Sequence, residues 1–168
     1  MSSLSYCKMS DLEYMEIAFL EAKKAFIKGE VPIGAVIVVN DKIISKAHNL
    51  RHTKKNALYH AEVLVISKAC KKLKRWILDD ATLYVTVEPC LMCSGAILQA
   101  RIKRLVFGVE EAKFGALGSI INVNDYNFNH KVEISKGLYE KEIKELMQDF
   151  FRKLRKEKAN ENRKYSDK

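Results

Sequence analysis

Residues 81–108 read ATLYVTVEPCLMCSGAILQARIKRLVFG, and they decide the fold. Residues 82–87 are β-branched or aromatic at most positions and read as a strand. Pro89 follows directly and is placed to open a helix, where the N–H it lacks has no intrahelical partner to lose. That helix extends to about Gln99, and residues 104–107 form the next strand. Upstream, Val63, Ile66, Cys70 and Leu73 mark one face of a helix that begins near His60. Residues 33–39 and 42–47 form an antiparallel hairpin turned at Asn40-Asp41. Before them, Ser10 with Glu13 resembles a capping box. Leu12, Met15, Ala18, Phe19, Ala22 and Phe26 then recur at helical spacing until Gly29. Downstream come a short fifth strand at 132–134 and a long helix over 138–156, with Leu138, Ile143, Leu146, Phe150 and Leu154 on one side. This order predicts an α/β fold, a three-layer α/β/α sandwich around a five-stranded mixed sheet.

The chain has 168 residues, enough for one domain with a substantial core. Residues 1–157 are expected to form that single domain, and 158–168 a basic, disordered tail. Both prolines lie inside motifs, and no linker or repeat divides the chain. No apolar run is long enough to span a bilayer, and residues 1–10 lack a signal-peptide pattern, so the expected location is cytoplasmic or, in a eukaryote, an internal compartment. Cys7, Cys70, Cys90 and Cys93 are a poor disulfide framework in such a chain, and the close pair points to a metal. The net charge of +9 favours a polyanionic partner. Much of it crowds the C-terminal end, at Arg152, Lys153, Arg155, Lys156, Lys158, Arg163, Lys164 and Lys168. From charge alone, a solvated helix accounts for that run as well as RNA binding does.

The chemistry lies in two fragments, His60-Ala61-Glu62 and Pro89-Cys90-Leu91-Met92-Cys93, each at the start of a helix. Cys90 and Cys93, three residues apart in a first turn, share a face and can bind one metal. His60 supplies a third ligand, and three protein ligands leave one tetrahedral position open, the pattern of catalytic zinc. The positive end of each helix dipole favours thiolates there. Zinc lowers the pKa of a bound water from about 16 to near 7, which provides a nucleophile at neutral pH. Glu62, the carboxylate inside the His60 fragment, is the candidate proton shuttle. Residues two apart on a regular helix point to nearly opposite sides, so His60 and Glu62 converge only if His60 lies at the non-helical edge of the turn. Cys-x-x-Cys by itself also fits a redox pair or half a structural zinc site. The full constellation of His-x-Glu, then a strand, then Pro-Cys-x-x-Cys is a recognised signature of zinc nucleobase deaminases.

On these residues the chain resembles the bacterial-type tRNA-specific adenosine deaminases of the zinc-dependent cytidine/deoxycytidylate deaminase superfamily, over roughly residues 10–157. The matching stretches are EVPIGAV at 30–36, HAE at 60–62, ATLYVTVEPC at 81–90 and FG at 107–108. FNH at 128–130 and FFR at 150–152 are more particular to the tRNA enzymes. The resemblance implies a cytidine-deaminase-like fold, one zinc per subunit, a homodimer, and hydrolytic conversion of adenosine to inosine at the wobble position of a tRNA anticodon loop. It puts the zinc ligands on His60, Cys90 and Cys93 and the proton shuttle on Glu62. A base-contacting asparagine falls on Asn49, which a plain turn residue also explains. Phe150, Phe151 and Arg152 fall on a C-terminal RNA-contacting helix. Adjacent phenylalanines cannot both face the core of an ideal helix, so one packs inward while the other meets RNA or a dimer partner. Two departures stand out. Residues 56–59 read NALY where many relatives have Asp-Pro-Thr-Ala, which puts Tyr59 beside the ligand histidine. Glu111 stands where an aspartate near the target ribose is common.

Three other functions share some of these features. A deaminase of free guanine or cytosine type bases or nucleosides would use the same metal site in a closed pocket. The basic C-terminal run and Phe150-Phe151-Arg152 favour a polymer substrate instead. A non-catalytic RNA-binding subunit of the same fold would be expected to have lost Glu62, which is present. A structural zinc module needs a fourth ligand, for which His48 and His52 are the candidates.

Overall fold

The computed structural model describes residues 8–166; Met1–Cys7, Asp167 and Lys168 lie outside the described residues. Cys7 and most of the stretch 1–10 read for a signal peptide fall outside them. Helix α1 spans Asp11–Ile27 and begins with the expected capping box: Glu13 N–H donates to Ser10 Oγ, and Ser10 N–H to the Glu13 carboxylate. Its buried stripe is Tyr14, Met15, Ala18, Phe19, Ala22 and Ala25, so Leu12, 51% exposed, falls outside the predicted face. Strands β1 (Gly34–Val39) and β2 (Lys42–His48) form the expected hairpin. Asn40 and Asp41 both take positive φ, 48° and 59°, which matches the right-handed twist of the flanking strands.

A four-residue helix α2 (Arg51–Lys54) follows, then α3 (Ala61–Leu73), β3 (Ala81–Val87), α4 (Leu91–Gln99), β4 (Arg104–Val109), β5 (Glu133–Lys136) and α5 (Glu140–Ser166). The five strands lie in the order β2-β1-β3-β4-β5. Strand β1 is antiparallel to β2 and β3, whereas β4 is parallel to β3 and β5, so the sheet is mixed as expected.

Alternation along the buried strands sends side chains to two separate cores. Ala35, Ile37, Leu83, Val85, Leu105 and Phe107 meet Val65, Ala69 and Ile97 of α3 and α4. Val36, Val38, Tyr84 and Val106 meet α1 and Ile143 of α5 on the other face. Gly34 lets α1 lie directly on the sheet: a Cβ there would stand 2.1 Å from the Ala18 carbonyl oxygen and 2.4 Å from the Ala22 nitrogen. Arg104 clamps the other end of α1, donating to both oxygens of Asp11 at 2.9 and 2.6 Å, with Tyr84 O–H also donating to Asp11 at 2.6 Å.

Three details differ from the sequence reading. Cys90, rather than Pro89, occupies the boundary of α4, with Leu91 its first residue, because the chain is still extended at Cys90 (φ −71°, ψ 173°). The buried stripe of α3 is Ala61, Glu62, Val65, Ile66 and Ala69, rotated by about a residue from the predicted face. Helix α5 continues past residue 157 to Ser166, across most of the stretch expected as a disordered tail. Residues 157–162 contain Glu, Lys and Ala with neither Gly nor Pro, so nothing local stops the helix. No helix among the described residues is long and apolar enough to cross a membrane.

Candidate active site

The site forms where α3 and α4 begin, just past the C-terminal end of the central strand β3. His60 is the residue just before α3, with extended backbone angles (φ −78°, ψ 151°). That non-helical position lets its ring and the side chain of Glu62, two residues later, face the same cavity. Cys90 occupies the equivalent place before α4. Neither His60 nor Cys90 caps its own helix with its side chain. For α3 the capping is done from outside, by Asn49 Oδ1, which accepts the Ala61 N–H at 2.8 Å. The His60 ring is thereby left for other work.

His60 Nδ1 lies 3.5 Å from Cys93 Sγ and 3.8 Å from Cys90 Sγ. The three donor atoms all fall within 4.8 Å of one another. Two tetrahedral bonds of about 2.3 Å to sulfur and about 2.0 Å to nitrogen span roughly 3.6 Å between donors. The donor set and its spacing therefore fit one zinc ion. Electrostatics agree. A hydrogen bond from Cys93, opposed by burial and helped by His60, holds Cys90 down at about 4, so one sulfur is a thiolate. The same bond and burial push Cys93 up. His60 is raised by its hydrogen bond to Cys90 against the effect of burial.

Glu62 is buried, and burial lifts its carboxyl to about 7. Its Oε2 is a buried polar atom with no hydrogen-bond partner. Such atoms are rare in folded proteins, and this one sits beside the three donors, where a metal-associated water or substrate would satisfy it. His48 and His52, the candidates for a fourth ligand, lie elsewhere. His48 binds Glu21 through Nδ1 (2.7 Å) and Lys28 through Nε2 (2.9 Å), and His52 is exposed. Among the described residues the metal cluster is His60, Cys90 and Cys93.

A cavity of about 410 Å³ opens over this cluster. Asn49, Glu111, Phe114, Met147 and Phe151 form much of its wall. Asn49 is 3% exposed, and with its Oδ1 committed to Ala61, its amide nitrogen makes no hydrogen bond among the described residues. Phe150 is buried against Phe26, their ring centroids 6.0 Å apart, while Phe151 is 39% exposed and reaches the cavity. Of the two adjacent phenylalanines, one therefore faces the core and the other the site. Arg152 does not reach this cavity. It pairs with Asp149 at 3.2 Å and lines a neighbouring cleft with Lys113 and Arg155. Tyr59, next to His60, lies outside the cavity wall, and its carbonyl accepts the Leu50 N–H at 3.0 Å.

Two further carboxylates organise the surroundings. Glu30, buried, accepts the N–H groups of His52 (3.1 Å) and Thr53 (2.6 Å) and so fixes α2 beside the cavity. Glu88, also buried, accepts from Glu111 N–H (3.0 Å), Leu117 N–H (2.9 Å), Ser119 N–H (3.1 Å) and the Ser119 hydroxyl. It holds the loop that carries Glu111 and Phe114 against the start of α4. Gly115 is required there, since a Cβ would stand 2.5 Å from the Glu88 carboxylate. The sequence signal for both was only their place inside EVPIGAV and VEPC, because their partners are distant in the chain.

The profile of the MafB19-like deaminase family matches residues 9–155. A tRNA-specific adenosine deaminase of Bacillus subtilis is 51% identical over 146 residues, covering 86% of this chain and 91% of the relative. The chain belongs to the tRNA-specific adenosine deaminase family. Among solved structures, a tRNA:A34 deaminase from a study of A-to-I editing at the wobble position of transfer RNA superposes with a TM-score of 0.78 at 39% identity. That alignment covers 80% of this chain and 98% of the solved one. A guanine deaminase of Bacillus subtilis is more distant, with a TM-score of 0.59 at 33% identity over 72% of this chain and 88% of that one.

Proposed function

We propose that this chain hydrolyses adenosine to inosine at the wobble position of a tRNA anticodon loop, in the cytoplasm, as a homodimer with one zinc ion per subunit. The observation that carries this reading is a shared wall. The cavity over His60, Cys90 and Cys93 is bounded by Phe151 of α5, whose following residues are basic. A free base needs no such extension, whereas a strand entering the cavity would run along it.

His60, Cys90 and Cys93 would hold the zinc, which supplies a water acidified toward neutral pH. Asn49, with its free amide group, is placed to hold an acceptor on the purine edge. The floor of the cavity, formed by Asn49, Glu62, Val87 and Glu88, is buried. Glu62 takes a proton from the attacking water and passes it to the ring nitrogen. It then takes the remaining proton from the hydroxyl now bonded to the ring carbon and delivers it to the departing amine as the C–N bond breaks, so that adenosine and water become inosine and ammonia. The homodimer reading is supported by apolar side chains left on the surface, among them Leu91 and Phe128, which line one cleft.

The test is incubation of the purified protein with total tRNA and, separately, with free adenosine, guanine and cytidine. Inosine at the wobble position with no ammonia from the free compounds is the expected result. Ammonia release from guanine or cytidine with unchanged tRNA would replace this reading with that of a small-molecule deaminase.

A further inference from the structure

Phe114 is a large aromatic side chain left 69% exposed, yet it borders the cavity that contains His60 and Glu62. It is not on a loose loop. The preceding turn is closed by Gly115 N–H donating to the Glu111 carbonyl at 2.9 Å. Gly115 then pairs with Cys90 as an isolated bridge, and Ala116 N–H donates to the Pro89 carbonyl at 3.0 Å. Glu88 fixes the same loop from beneath through Glu111, Leu117 and Ser119. The fold therefore spends a buried carboxylate and several backbone bonds on presenting one apolar ring to solvent beside a metal centre. Next to it, Lys113, Arg152 and Arg155 line an adjoining cleft whose wall includes Phe151, the other aromatic of the cavity rim.

An aromatic face beside a basic track is the arrangement that single-stranded nucleic acid uses: bases stack on the ring and phosphates lie against the cations. We propose that Phe114 is the stacking platform for the base of a nucleotide adjacent to the target adenosine, with the phosphate backbone lying on Lys113, Arg152 and Arg155. This rests on the RNA-deaminase reading above. Phe114 is a positioning residue. It holds the neighbour so that the target base is drawn out of its own stack and into the cavity, and it takes no part in proton transfer.

The experiment uses the intact protein and an anticodon stem–loop RNA, together with two versions abasic at the nucleotide immediately 5′ or 3′ of the target. Phe114→Ala is expected to raise KM for the intact RNA by roughly 5- to 140-fold, with kcat within about twofold. Phe114→Trp should restore KM, and Phe114→Leu, apolar but not aromatic, should not. On the RNA lacking the stacked neighbour, the parent protein should show the same loss, and Phe114→Ala should add none, since the two changes remove one contact. An equal further loss on both abasic RNAs, or full rescue by Leu, overturns the proposal. So does a change in solution mass for Phe114→Ala, which would make the ring a subunit contact. Turnover of the intact stem–loop by the parent protein reports separately on the function itself. If that turnover is present and Phe114→Ala has an unchanged KM, the stacking role alone is refuted.

Discussion

Replacing Glu88 by glutamine isolates what one buried carboxylate does for the loop beside the metal cluster. Oε1 accepts from Leu117 N–H and Ser119 N–H at 2.9 and 3.1 Å, and Oε2 from Glu111 N–H at 3.0 Å and from the Ser119 hydroxyl. Glutamine retains one oxygen for one of these pairs. Its amide group is best turned toward Glu111 and the Ser119 hydroxyl, because a hydroxyl can reverse its role and accept. The Glu111 N–H then faces another donor and has no acceptor. One unsatisfied donor costs about 1–3 kcal/mol, and the other bonds lose their charge assistance, so the sum is roughly 2–4 kcal/mol. For a chain of this size that lowers Tm by roughly 5–15 °C. Thermal unfolding followed by circular dichroism reads this directly. Zinc content should stay unchanged, since His60, Cys90 and Cys93 are untouched, while KM for tRNA rises as Glu111 and Phe114 lose their fixed position. A Tm within about 1 °C of the parent would refute the claim that this carboxylate organises the loop.

Phe150→Ala should cost about 3–5 kcal/mol by emptying a core site against Phe26, whereas Phe151→Ala should leave Tm nearly unchanged and raise KM for tRNA; equal effects on Tm would contradict the division between core and site. The double charge reversal Arg152→Glu/Lys156→Glu should raise KM and flatten its dependence on salt, with kcat preserved, and identical salt slopes for variant and parent would reduce this run to solvated surface. Acid should unfold the protein through its paired carboxylates. Arg104 holds Asp11 below its ordinary range, and at Glu88 and Glu30 burial is outweighed by hydrogen bonds from Ser119 and neighbouring amides and from Thr53 and His52. Groups depressed in the folded state stabilise it fully above their unfolded pKa, so the contribution of these carboxylates to the urea midpoint should be constant near neutrality and be lost as pH drops below about 4. A midpoint that stays constant to pH 3 would show that these pairs do not support the fold.

The layers of the fold were legible because local chemistry and long-range packing agree in them. The Ser10–Glu13 box, the Asn40-Asp41 turn and the β-branched runs each specify an element without help from distant residues. The metal cluster was legible for the same reason: its three donors lie at two helix starts, and the backbone angles of His60 meet the condition that convergence with Glu62 imposes. What escaped depends on partners far away in sequence. Helix α2 is too short for any periodicity, and the carboxylate that receives its first amides, Glu30, lies 22 residues before His52. Glu88 reaches 31 residues ahead to Ser119. The boundary of α4 moved to Cys90 because the site needs that side chain outside the helix, where Pro89 alone suggested an earlier start. The extent of α5 escaped because dense charge suggests a solvated tail, although lysine and glutamate are good helix formers.

The proposed role of Glu62 is to move protons beside a zinc ion held by His60, Cys90 and Cys93. Its most direct test is to quantify wobble inosine by mass spectrometry after incubating tRNA with Glu62→Gln, with zinc measured on the same sample. About one zinc per chain, an unchanged fold, and a rate at least 10²-fold below the parent are expected. Zinc at that level with inosine formed within tenfold of the parent rate would contradict it.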